Sequence, residues 1–436
     1  MSGVRGGARA WLLACVCSAA CGDDSDTGAV VQIPSIDAGM RDGSATAPLD
    51  SAVVDASPPS DSSVTLTPDA KQACVIGNGG ISLVNQDSLD PDAPLGLAVR
   101  DDGATLSWTA YESGKFHLTT RWFGASSAPS DARQTPPAGA GSTQAEPTIV
   151  TTKTGFLSVW SDDAAGTFNL RAWATNASGE VLAAAPSMLT SASSDEREPV
   201  LAFGADGNAL VAWQSRSPGV QGKTLLIGAD STALGNANVI SDFGASAGRP
   251  ALAPLGAGYV LAWVDAASRH VHMQALDAHG APARASSQVD SEGNARGHLD
   301  FATTDQGGAL VFDVLVDGAR PDIRFRTFDL NGVASGPEQI VSKYPDSGSF
   351  PAIVALRGGY AVAYRSAQLP QQQLRLALLD GLGSAIASAN IAPVTSINLP
   401  LALRASPDGT RMFVGWVDSI ANTNSLQLQR AWIHCD

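Results

Sequence analysis

Carboxylates and arginines are the side chains in this chain best placed to hold a ligand or move a proton, and they recur at set places. Acids closely follow a large aromatic: Asp162 and Asp163 after Trp160, Asp265 after Trp263, Asp313 after Phe312, Asp418 after Trp416. A second group, Asp195-Glu196-Arg197-Glu198, Arg249, Asp290, Glu292 and Arg296, falls in polar segments between apolar runs. If these segments share one rim, Asp162, Glu196, Arg197, Glu198, Arg249, Asp265, Arg296 and Asp313 form a mixed-charge mouth suited to a polar ligand. Two carboxylates working as a hydrolytic pair would have to converge to roughly 5–10 Å. The competing role is local, since aspartate at a strand end accepts turn N–H groups. A catalytic acid is needed once and these aspartates recur, so capping is the preferred role for them.

Other chemistry is sparse. His270 and His272 lie two apart on one strand, a spacing compatible with metal ligation, but no third ligand accompanies them. His298 stands where other segments have proline, and a packed histidine is the preferred reading. Gly222-Lys223-Thr224 has Ser217 where a phosphate loop needs its leading glycine. There is no zinc-protease or dinucleotide motif. Catalytic residues therefore stay unassigned, and neither a metal nor a cofactor is implied.

The elements that must position these residues repeat. Trp108, Trp160, Trp213, Trp263, Phe312, Tyr364 and Trp416 are separated by 52, 53, 50, 49, 52 and 52 residues. So regular a period means one supersecondary unit repeated seven times. Residues 250–290 parse as four strands: a from Pro250, b ending at Trp263, c ending before Gly280, d running to Val289. Glycine marks the a–b turns at 103, 155, 207, 258, 308, 359 and 409, as hairpins require. Strand a opens on Pro94, Pro147, Pro199, Pro250, Pro351 and Pro400, with His298 in the fifth copy. Strand b is apolar on both faces, which a sheet with one wet face would not be. The residue before each aromatic is slim (Ser107, Val159, Ala212, Ala262, Val311, Ala363, Gly415), so stacked sheets can interdigitate.

These features predict an all-β, seven-bladed propeller of four-stranded antiparallel blades over residues 71–436. The last copy supplies only strands a, b and c. Residues 81–86 precede the first strand a without a blade of their own. As outer strand of the last blade they close the ring and bring Cys74 near Cys435, a predicted disulfide.

The first 21 residues read as a targeting segment. Arg5 and Arg9 precede a short apolar run, and Ser18-Ala19-Ala20-Cys21 resembles a bacterial lipobox, with Ser18 where that motif usually has Leu. The resemblance implies a signal peptide over 1–20 and lipidation at Cys21. Gly22 follows in place of the Asp that resembles an inner-membrane retention signal, favouring the outer membrane. Residues 21–70 read as a disordered tether: from 22 on they contain no aromatic, and nine Asp stand against one Arg. As a flexible coil it would span roughly 40 Å. A formal net charge of −15 argues against nucleic acid and against adsorption to anionic lipid.

The Pro–(strand a)–Gly–(apolar)–Trp–x-Asp pattern over 94–435 resembles the propeller repeats of secreted and lipid-anchored bacterial proteins. The tether after Cys21-Gly22-Asp23-Asp24 is similar to those of myxobacterial surface lipoproteins. Sialidase boxes are missing, kelch glycine pairs are missing in most copies, and a WD40-like Gly-His occurs only at Gly297-His298. No catalytic residue carries over. The expected protein is a monomeric, non-enzymatic binding module for a protein or glycan, meeting the membrane through its lipid. The alternative is a glycoside hydrolase or lyase acting on polysaccharide.

Overall fold

The computed structural model describes residues 65–66, 74–76, 81–85, 89–124, 133–136, 142–216, 219–240, 242–343, 345–367, 371–420 and 425–435. Cys21, the targeting segment and nearly all of the expected tether lie outside them. Among the described residues there are strands and no helix, arranged as seven antiparallel sheets. Six sheets order their strands a-b-c-d along the chain. Each strand a contacts the strand a of the next blade, and that of blade 7 contacts that of blade 1. The sheets therefore stand as blades in a closed ring with strands a innermost.

Blade 4 shows the sequence pattern at work. Its strands are Ala251–Leu255, Gly258–Val264, Val271–Leu276 and a two-residue Ser287–Gln288. Its b strand is buried along nearly its whole length because a neighbouring blade covers each face. All seven ladder aromatics are at most 1% exposed. Each packs on the preceding blade: Trp213 among Leu157, Val159 and Ala172 of blade 2, Trp416 among Ala361, Ala363 and Leu376 of blade 6. Trp108 of blade 1 completes the circuit against Phe413, Val417 and Leu428 of blade 7. The slim residue before each ring faces the other way. Ala262 joins the blade 4–5 cluster, and a Cβ on Gly415 would already meet Leu106 of blade 1 at 3.1 Å.

Closure follows the expectation. Ser82–Asn85 pairs antiparallel with the outer edge of strand c in blade 7, Ser82 opposite Arg430. Farther along that edge Cys74–Ile76 continues the pairing, with Cys74 directly opposite Cys435. Those two cysteines are disulfide-bonded, their Cα atoms 4.1 Å apart. Thr65–Leu66 adds a further short strand outside Cys74–Ile76, a few residues ahead of the expected boundary at 71.

One detail differs from the sequence expectation. In blades 2, 3, 5 and 6 strand a begins three residues before the proline position, at Gln144, Glu196, Ala295 and Gly348. A register shift then brackets that position, as between Ala145 and Thr148 or between Arg197 and Val200. In blades 2, 3 and 6 the bulge absorbs a proline, which has no N–H to donate, and in blade 5 it falls at His298. It also re-aims the side chain before it.

Candidate functional site

The seven inner strands enclose a cavity of about 620 Å³. Strand a runs inward from the rim shared by the d–a and b–c loops, so residues around the bulge form the cavity mouth. Here the backbone takes an unusual conformation. Glu146, Glu198 and Phe350 have φ of 58°, 57° and 52°, the left-handed region that non-glycine residues avoid. Blades 4 and 5 place Gly248 and Gly297 at or beside this position, with φ of 140° and 104°. There the two backbones lie so close that a Cβ on Gly297 would strike the Ala247 carbonyl.

The carboxylates at the mouth are held. Arg197 grips Glu146 Oε1 through Nε (2.9 Å) and Nη2, while the Glu198 N–H (2.6 Å) and the Ser161 hydroxyl (3.0 Å) donate to Oε2. Glu198 accepts from Arg216 Nη2 at 2.7 Å and from the Gln214 side-chain amide. Burial pushes the Glu198 carboxyl above the usual range, Arg216 opposes that, and Glu146 adds a smaller upward push. Asp300 accepts the Ile353 N–H (3.0 Å) and pairs with Arg404 (2.8 Å).

Inner strands are sheet edges, with backbone groups turned toward the cavity. Arg249 serves two of them, donating through Nε and Nη2 to the Pro199 carbonyl and through Nη2 to that of Pro147. Burial lowers its pKa to about 10, with Glu146 and Glu198 pulling the other way. His298 stacks on Phe350 with ring centres 3.7 Å apart. Its Nδ1 lies 2.7 Å from the fully buried Asp313, whose carboxylate is also 3.6 Å from Arg296. The imidazole thus has one nitrogen held by a buried acid and lines the cavity.

Of the residues expected at a ligand rim, the structure gathers Glu198, Arg249 and Arg296 at the mouth. Arg197 and Asp313 stand behind it, positioning Glu146 and His298. Three do not belong, a correction to the sequence reading. Asp162 is buried, caps the Ala164 N–H and sits 3.4 Å from Arg171. Glu196 is buried, accepting from the Trp213 indole and the Ser194 and Ser215 hydroxyls. Asp265 is spent on the Ala267 and Ser268 N–H groups. Asp418 likewise caps Thr395.

Glu146, Asp300, Phe350 and Arg404 were missed. The signal available for two of them was the residue before the strand-a proline, Glu146-Pro147 and Phe350-Pro351, which a bulge would turn inward. His270 pairs with Asp290 at 2.9 Å and His272 stacks on Trp263, so neither acts with the other. Among the described residues no group of three or more His, Cys, Asp or Glu is placed to hold a metal ion.

No protein-family model matches the chain, and no curated protein sequence does. Among solved structures it is similar to a protein of unknown function from Dyadobacter fermentans: 10% identity, TM-score 0.45, covering 82% of this chain and all of that one. It is also similar to the propeller domain of the Trilobed protease from Pyrococcus furiosus, at 7% identity and TM-score 0.45, over 78% and 97% of the two chains. The NanB sialidase of Streptococcus pneumoniae gives 10% identity and TM-score 0.44, over 81% and 70%. At such identities the likeness extends to the propeller fold alone.

Proposed function

We propose that the protein is a lipid-anchored binding module of a bacterial cell envelope, non-enzymatic, which presents the mouth of its central cavity to a protein or glycan. One observation carries the choice of site. Left-handed backbone at a non-glycine residue costs on the order of 1–3 kcal/mol. Blades 2, 3 and 6 keep Glu146, Glu198 and Phe350 there, while blade 5 uses Gly297 and blade 4 takes its positive φ one residue earlier, at Gly248. Side chains retained against strain at one end of one cavity fit a ligand site better than they fit scaffold. Binding is preferred over catalysis because Glu146, Glu198 and Asp300 are each held by an arginine. The anchor rests on the lipobox-like sequence ending at Cys21.

A second reading has its own observation. His298, held by buried Asp313 and lining the cavity, is built as a general base would be. A hydrolase or lyase acting on envelope or extracellular polysaccharide would use it.

Cross-linked capture from intact cells, with wild type beside Phe350→Gly, separates these readings. A partner captured by the wild type and lost in the variant supports the mouth as the binding site; equal capture rejects it. Depolymerisation of a bound glycan that disappears in His298→Ala would favour the enzyme. Palmitate labelling of wild type and Cys21→Ser tests the anchor, and equal labelling would refute it.

A further inference from the structure

Strand c of blade 7, Leu426–Cys435, runs from the mouth rim to the opposite rim, where the Cys435 N–H donates to the Thr410 carbonyl in the a–b turn (2.8 Å). Cys74 lies opposite Cys435, and Asn85 opposite Leu428. The closing segment therefore enters at the far rim and runs toward the mouth. The described chain first meets the ring there, at Thr65–Leu66 and Cys74–Ile76. The disulfide sits at this entry, upstream of Ser82–Asn85 and of every blade.

A pull on the N-terminal segment, after the two pairs of Thr65–Leu66, arrives at Cys74. Without the bond it would fall on two short groups of three backbone pairs, Cys74–Ile76 and then Ser82–Asn85, along the outer edge of the sheet. Beyond them the next hold is Leu89, bridged to Ala110 of blade 1, and the outer strand of blade 7 is gone. With the bond, the pull passes from Cys74 to Cys435 and into strand c. That strand pairs over nine residues with strand b, Arg411–Ser419. Ladder bonds of an antiparallel pair lie across the strands, so a pull along strand c loads them together rather than in turn. Strand b hands the load to both neighbours: Trp416 packs on blade 6, and Phe413 and Val417 pack with Trp108 of blade 1.

We infer that the Cys74–Cys435 bond is a mechanical clamp. It diverts tension on the N-terminal segment away from the closing strand, so the ring stays shut while a partner held at the mouth is pulled against the anchor. Reduction of the bond to two thiols by a dithiol, itself oxidised to a disulfide, removes the clamp and lets the same tension strip the closing strand. This rests on the anchored binding-module reading, which supplies the two ends of the pull.

The test is single-molecule force spectroscopy on the full chain, with handles on Ser44→Cys in the N-terminal segment and Ala267→Cys in the b–c loop of blade 4, at the mouth rim. In the oxidised protein the length released before the blades unfold is the stretch from Thr65 to Cys74, at most about 30 Å. In Cys74→Ser, or in wild type with dithiothreitol, a further early step is expected at lower force. It carries the release to about 80 Å, as the chain is freed back to Leu89. An oxidised protein that releases about 80 Å before its blades unfold would overturn the clamp, as would equal first rupture forces in oxidised and reduced chains. So would a reduced chain that unfolds under no load, since the bond would then hold the fold itself. If Cys74→Ser does not fold, wild type with and without reductant decides. The handles stand in for anchor and partner, so a failed clamp leaves the binding module standing. Equal palmitate labelling or equal cellular capture would reject that module without altering the measured force path.

Discussion

Phe350 is held in a conformation that favours glycine, and this reverses the usual order of substitutions. Phe350→Ala and Phe350→Gly both remove the ring and its stack on His298, but only glycine relieves the left-handed φ. The glycine variant is expected to be more stable than the alanine variant by about 1 kcal/mol, where glycine in an ordinary strand would be less stable. Urea unfolding of the pair checks this. A second residue-scale expectation concerns Asp408 in the a–b turn of blade 7. It accepts the Ser406 hydroxyl, and the N–H (3.0 Å) and hydroxyl (2.7 Å) of Thr410, which together hold its pKa at about 2 against an ordinary 3.8. A depressed carboxyl stabilises the fold above its unfolded value and loses that contribution as pH falls through the folded one. The melting temperature of Asp408→Asn should therefore lie below wild type at neutral pH and converge with it between about pH 4 and pH 2. A gap that stays constant over this range would contradict the assignment.

At the scale of the element, blades are joined by two devices. The first is the aromatic ladder. Trp263 packs on Leu210, Ala212 and Phe243 of blade 3, so Trp263→Ala opens a cavity between two sheets. A loss of about 3–5 kcal/mol is expected, read as a lower denaturant midpoint with the slope unchanged. The second is the c–d turn, which leans on the preceding blade. Gly383 has φ 88°, and a Cβ there would meet the Phe325 ring of blade 5 at 2.4 Å. The same turn in blade 4 accepts the Thr224 hydroxyl of blade 3 on the Gly280 carbonyl, at 2.7 Å. These c–d turn glycines thus also set the spacing of blades.

For the whole molecule the decisive contact is the one that turns a row of blades into a ring. Strand c of blade 7 is paired along its outer edge by Ser82–Asn85 and Cys74–Ile76, and the Cys74–Cys435 bond spans 361 residues. Cross-linking so long a loop limits the unfolded chain, with a ceiling of about 5 kcal/mol. Cys74→Ser should unfold at lower denaturant than wild type, and reduction should bring wild type down to the variant. A variant as stable as the oxidised protein would show that strand pairing alone closes the ring.

Seven units and the inward aromatics were legible from the amino-acid order because each rests on local pattern repeated at a constant interval, and the closing strand and the disulfide because they stand where that pattern is left incomplete. A glycine turn, an apolar strand and a ring with a slim neighbour look alike in every copy, and repetition makes the stacking partner the next copy. The mouth was legible only in part. Glu198, Arg249 and Arg296 stood out as charged residues in polar segments, while Asp162, Glu196 and Asp265 looked equivalent and prove to be buried or capping. Glu146 and Phe350 carried no mark beyond preceding a proline. What decided their role is a bulge that reverses the sign of φ, and the meeting of strands some 50 residues apart around one axis.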